Sequence, residues 1–399
     1  MIEDSEARRK NFKLTVSNLA ISRAGTSAFS LMILWITLQL THIPAIAGLA
    51  DGMFTLPLFF SFFVGSFVDR SRNKKMVAII ASIFRSVSIF LLFIAVSTRV
   101  LVVIVFFVFL CVVIMGFTSD ISNSVRAIWV KVFLKDEEYQ KGSAWMMGIG
   151  SLAEMAGFIA SGIFIYIGFL RGISALFVVL VASIIPIIFI VQKPDRRERQ
   201  SVKSDMKEGL KFLKETKILQ QMIFLMIIAN LAVAMMGIAF TVLVEEIFKL
   251  SSVYFSIVFV LVSLGIVLGS MPGSKVKGKL GVIIIPLLAV TGAMFVSIAF
   301  LHSIYLTYIP VVVIGFCVGM INPPAESVLI KRIPEEMMAR SMGIVNTMAI
   351  SVTFFSGTIG GLIIQFTSIF DLFLIIGSLV ILSGFGMLFM KELRDSPVK

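Results

Sequence analysis

Apolar stretches of eighteen residues or more recur from end to end of this chain. At about 1.5 Å of rise per helical residue, each is long enough to cross the roughly 30 Å hydrocarbon core of a bilayer. Of 399 residues, 58% are apolar and 15% charged, and the mean hydropathy of +1.03 excludes a soluble domain. A membrane β-barrel would instead show alternating segments of about ten residues. The expected class is therefore all-α integral membrane. Bounding the runs by charges, Gly and Pro gives twelve spans, near 12–39, 44–68, 76–97, 100–125, 143–168, 172–191, 218–246, 253–272, 281–301, 304–329, 338–366 and 371–390. Met1 to Asn11 is charged and the first apolar run is a full span, so that helix is expected to direct insertion itself.

The net charge of +12 would point to nucleic acid in a soluble chain, but its placement points to topology. Thirty of the 35 Lys and Arg lie in the terminal and loop segments of one parity. Only Arg99, Arg171 and Lys249 lie in loops of the other, and Arg23 and Arg85 sit inside spans. Positive residues stay on the cytoplasmic side, so both termini are expected there, in the plasma membrane. Nucleic acid is not an expected partner. The lipid bilayer, a small-molecule substrate and protons are, and the chain is expected to work as a monomer.

Between the second and third spans runs Gly65, Ser66, Phe67, Val68, Asp69, Arg70, Ser71, Arg72, Asn73, Lys74, Lys75, with four cations in its last six residues. The glycine is expected to allow close backbone approach, and Asp69 offers an acceptor. This GxxxDRxxxKK pattern resembles the signature loop of the major facilitator superfamily. The resemblance implies a cytoplasmic gate in which Asp69 joins an ionic latch. Gly65, Asp69, Arg70, Asp120 and Arg126 are the residues expected there, with Arg126 a candidate partner for Asp69. Ser22-Arg23-Ala24-Gly25, Leu56-Pro57 and Phe84-Arg85-Ser86 resemble the branch that holds macrolide-efflux and siderophore-export proteins. Phe158, after Gly157, stands where many drug:proton antiporters carry proline, and sugar-porter signatures are absent.

Internal symmetry points the same way. Gly269, Ser270 and Gly273 repeat the spacing of Gly65, Ser66 and Asp69, with glycine in place of the aspartate. Parallel six-helix repeats are expected over 1–191 and 218–399. The linker 192–217 is expected to hold an amphipathic helix on the inner leaflet, carrying Val202, Met206, Leu210 and Leu213.

An ionised group in hydrocarbon costs about 2.5–3.5 kcal/mol even on lenient scales, so each buried charge needs a partner or a cavity. Arg23, Arg85 and Glu154 all fall nine to eleven residues past the cytoplasmic start of their helices, at similar depth. Glu154 is the expected proton-titrating carboxylate and Arg23 the cation that holds it ionised; the alternative is a static pair that fixes packing. Asn322 and Glu326, one turn apart beside Pro323 and Pro324, are expected at a substrate cavity, with Asn230 and Met235 of the seventh helix. The 37 Phe and 22 Met lean toward a lipophilic cargo. Glu245, Glu246 and Asp51 are expected at the outer rim.

No phosphate-binding Gly-rich loop is present, His42 and His302 have no second ligand at helical spacing, and Cys111 and Cys317 lie singly in apolar helices. A cofactor, a metal and an enzymatic activity are not expected. The leading reading is a secondary transporter working by alternating access, an antiporter exporting a lipophilic or amphipathic compound against protons. Alternatives are an importer or facilitator of a small anionic or polar metabolite, with Arg23 and Arg85 as its ligands, and a non-transporting receptor or lipid-handling protein.

Overall fold

A computed structural model describes residues 5–191, 213–333 and 338–398; within its helices the side chains of Phe62, Ser66 and Asp69, among others, lie outside the described residues. Among the described residues, eleven helices are long and apolar enough to span a membrane. The remaining span, the second, is built from three pieces: Pro44–Thr55, a 3-10 turn Leu56–Phe60, and Ser61–Arg70. Pro57 lacks an N–H and stands at the start of that turn, which is where regular α-helix gives way. Gly116 of the fourth span faces the break, and a Cβ there would lie 2.7 Å from the Pro57 ring. The result is the twelve-helix architecture expected from hydropathy.

The first unit comprises Met1–Thr41, Met53–Gln200 and Ser251–Ser256. Its axis is the first span, Ser5–Thr41, whose Phe29, Met32, Ile33, Leu34 and Trp35 are buried. Apolar lipid gives helices no reason to prefer one another, so polar ties and close packing carry more of the association than in water. Asn11 supplies one tie, donating to the Val191 carbonyl at 2.8 Å and accepting from the Val191 N–H at 3.1 Å. Asn18 supplies another, donating to the Ser183 carbonyl at 2.8 Å. The third span is Lys74–Ser97, the fourth Leu101–Phe133, the fifth Asp136–Tyr166, and the sixth runs over Phe169–Phe189. Val64 and Val68 pack with Val125, Trp129, Phe133 and Ile187 in an apolar cluster around the end of the signature helix. Phe63, Phe67, Phe84 and Phe106 point outward, as lipid-facing side chains do.

The second unit comprises His42–Gly52, Ser201–Leu250 and Ile257–Lys399. The seventh span (Lys217–Ile247), ninth (Leu280–Ile298), tenth (Ile304–Arg332) and twelfth (Ile369–Phe389) surround a buried core that includes Met235, Phe240, Phe295 and Phe373. The eleventh span, Thr347–Phe366, meets Pro44–Thr55 with Gly48 set against Gly357. Its C-terminal segment folds back: Gly278 pairs with Val398 and Lys279 with Pro397, antiparallel. Lys279 reaches Asp395 at 3.2 Å, Arg394 reaches the same carboxylate at 3.1 Å, and Gln221 accepts from the Leu393 N–H at 3.2 Å. The tail thus braces one end of the seventh and ninth spans.

Gly65 does not mediate a close backbone approach: a Cβ there would meet nothing within 4 Å, because its side of the Ser61–Arg70 helix is open. Its counterparts Gly269 and Gly273 are the close-packed ones, lying against Phe316 and Met320 of the tenth span. The amphipathic stretch of the 192–217 linker lies largely outside the described residues, and Lys217 already begins the seventh span.

Candidate functional site

The placement of Arg23 and Glu154 begins with Gly157. A Cβ at Gly157 would collide with the Ala24 carbonyl oxygen and stand 2.9 Å from the Ser27 side chain. Only a glycine lets the fifth span lie this close to the first, and Glu154 sits one turn before it. Arg23 then reaches Glu154 with two bonds, Nε at 3.2 Å and Nη2 at 2.9 Å, and both go to Oε2. Among the described residues Oε1 carries no bond. The side chains remain 44% and 35% accessible, so the pair is reachable from outside the packed core.

Behind this pair lie two further arginines. Arg85 is 1% exposed and spends its donors on Ser22 Oγ (2.6 Å), Thr118 Oγ1 (3.3 Å), the Thr118 carbonyl (3.0 Å) and Ser122 Oγ (2.8 Å). Arg126 is 5% exposed and donates to Asn18 Oδ1 at 3.2 Å and Asn123 Oδ1 at 2.6 Å. All these acceptors are neutral. Asn18 is placed to serve two roles, since its amide N–H₂ holds the sixth span while its oxygen receives Arg126.

The expected gate residues are not all brought together. Asp120 does not reach Arg126; Ser61 donates to its Oδ1 at 3.0 Å, and Oδ2 is buried without a bond among the described residues. The two residues are six apart on one helix, which turns their side chains to different faces. The proposed Asp69–Arg126 latch falls on an Asp69 side chain that lies outside the described residues. Arg70 is exposed in the last turn of its helix, where a cation favourably meets the negative end of the helix dipole.

In the second unit, Asn322 and Glu326 share one exposed face of the tenth span, as their spacing requires. The helix passes unbroken through Pro310, Pro323 and Pro324. Asn230 donates to the Ala349 carbonyl at 2.9 Å. Met235 is 1% exposed and packs near Gly360, so it lies in the core and not on an open wall; the seventh span's apolar periodicity did not separate these two settings.

Sequence reasoning missed Asn18, Ser22, Thr118, Ser122 and Asn123. A signal was present: Asn18 and Ser22 on one helix, and Thr118, Ser122 and Arg126 on another, recur at intervals of four, which puts polar groups on one face of each. No group of His, Cys, Asp and Glu suited to a metal occurs among the described residues.

Among the described residues, eleven helices long and apolar enough to span a membrane and an arginine–glutamate pair that joins two of them fit a polytopic transporter. The chain belongs to the Major Facilitator Superfamily, whose model matches residues 16–358. No curated protein matches it in sequence. Among solved structures, the nucleoside transporter NupG aligns with a TM-score of 0.76 over 97% of this chain and 99% of its own, at 12% identity. A POT family transporter in complex with 5-aminolevulinic acid aligns with a TM-score of 0.75 over 96% of both chains, also at 12% identity. At that identity the likeness concerns the fold.

Proposed function

We propose that this protein is a proton-coupled secondary transporter that exports a lipophilic or amphipathic small molecule by alternating access. It works as a monomer in the plasma membrane with both termini cytoplasmic, using six-helix halves 1–191 and 218–399 that rock about a central site. Family membership supports small-molecule transport, and the distribution of Lys and Arg supports the orientation. The outward direction is supported by the resemblance of the first three spans to efflux proteins and by the abundance of Phe and Met.

The observation that carries the coupling is the geometry of Glu154. Arg23 engages one carboxylate oxygen and leaves the other without a bond among the described residues, open to a proton. Protonation at Oε1 cancels the charge that holds Arg23, and the pair separates. Its loss removes a tie between the first and fifth spans, so the change biases the surrounding helices toward another arrangement.

Proteoliposomes loaded with a pH-sensitive dye test this when challenged with lipophilic cations, macrolides, organic anions and sugars. Compound-induced proton movement that vanishes in Glu154→Gln is the expected result. Tracer flux without proton movement would make the protein a facilitator and Glu154 a packing residue.

A further inference from the structure

Among the described residues of the first unit, no carboxylate contacts Arg85 or Arg126; Asp120, on the same span as Arg126, takes its bond from Ser61, and the Asp69 side chain lies outside the described residues. Glu154 neutralises Arg23, but Arg85 and Arg126 touch only hydroxyl, amide and carbonyl oxygens among the described residues. These acceptors satisfy hydrogen bonds and leave the charge in place. The two guanidiniums are also close. Arg126 bonds to Asn18, and Arg85 bonds to Ser22, one turn further along the first span; Ser122, another partner of Arg85, is one turn from Arg126 on the fourth. They therefore bridge the same two helices at successive turns, separated by about 5.4 Å of helical pitch. Arg23 follows Ser22 directly in the chain. Three cations and one contacting carboxylate are gathered on one face.

We infer that the cargo carries an anionic head group, a carboxylate, sulfonate or phosphate, that binds at Arg126 beside Asn123. This rests on the proposed function only in taking the chain to be a transporter of an amphipathic molecule; it does not depend on Glu154 carrying the proton. Asn123 is the exposed member of the cluster and holds Arg126 Nη2 through its side-chain oxygen. Rotation of that short side chain frees Nη2 for a ligand oxygen and offers the amide N–H₂ as a second donor. A planar guanidinium is suited to carboxylate, sulfonate and phosphate oxygens. Arg85, buried behind, contributes field and fixes the hydroxyl ladder; it is a positioning residue. A negative head group meets the charge that no contacting carboxylate among the described residues meets, and an inside-negative membrane potential pushes such a cargo outward, the direction proposed above.

The test uses purified full-length protein and thermal melting with a matched set: 3-phenylpropionate, 3-phenylpropionamide and 3-phenylpropylamine, extended by phenyl phosphate and benzenesulfonate. At least one anion is expected to raise the melting temperature, and the amide and amine are not. Arg126→Gln is expected to weaken that anion's binding tenfold or more, Arg126→Lys to recover part of it, and the exposed Asn123→Ala to weaken it severalfold without disturbing the fold. Equal response to amide or amine, no response to any anion, or unchanged affinity in a folded Arg126→Gln would each overturn the inference. If Arg126→Gln does not fold, Asn123→Ala and the comparison of anion with amide decide the matter alone. Anion-selective binding with no proton movement leaves this inference standing and removes the coupling. Proton movement driven only by cations or neutral compounds does the reverse.

Discussion

Arg23 and Glu154 meet through a single carboxylate oxygen: both guanidinium bonds, at 3.2 and 2.9 Å, end on Oε2. A purely structural arginine–carboxylate pair gains most from the fork-to-fork arrangement, in which each oxygen takes one bond. Among the described residues the one-sided arrangement leaves Oε1 without a bond on a Glu154 side chain that is 35% accessible. Under the proposed coupling, Oε1 is the oxygen that takes the proton; in a static pair it has no role.

The close approach at Gly157 underlies the pair. Gly157→Val is expected to push the fifth span away from Ala24 and Ser27, with an overpacking cost of about 1–3 kcal/mol. Detergent melting curves will show the loss of stability. Transport should fall further than stability does, because Glu154, one turn away, is displaced from Arg23.

Arg85→Lys keeps the charge and should still be damaging. One ammonium cannot reach Ser22, Thr118 and Ser122 together, whereas the guanidinium does so with its fork. Charge-assisted bonds contribute about 1.5–3 kcal/mol each, so loss of even one should lower the melting temperature measurably. An unchanged melting temperature would show that the ladder adds nothing to the fold.

At the C-terminus, hydrogen bonds from Arg394 and Lys279 hold the Asp395 carboxyl below its usual range. A carboxylate depressed in the folded state stabilises it above the ordinary carboxylate pKa, and that contribution disappears as pH falls through the depressed value. Asp395→Asn should therefore lower the melting temperature slightly at neutral pH and leave it unchanged at strongly acidic pH. The effect is expected to be small because the group is open to solvent.

The spans were legible in the sequence because hydrocarbon selects for apolar length, and the depth of Arg23 and Glu154 followed from counting residues along their helices. Their pairing was legible too, since so few charges lie at that depth. The partners of Arg85 and Arg126 were not. Ser22, Thr118 and Ser122 are ordinary helix residues that also bond back to their own carbonyls, as Thr118 and Ser122 do here, and only the rotation of each helix shows which of them face an arginine. Gly65 and Gly157 show the same limit from the other side: the glycine of the signature loop meets open space, while Gly157, whose following residue departs from the antiporter pattern, sets the close helix contact at the site.

The central claim is that Glu154 carries the coupling proton. Its most direct test is uphill movement of an identified cargo in proteoliposomes under an imposed pH gradient, measured beside gradient-free exchange, in wild type and Glu154→Gln. The account predicts that the variant loses uphill movement and its pH dependence while exchange persists. Uphill movement with an unchanged pH dependence in Glu154→Gln would contradict it.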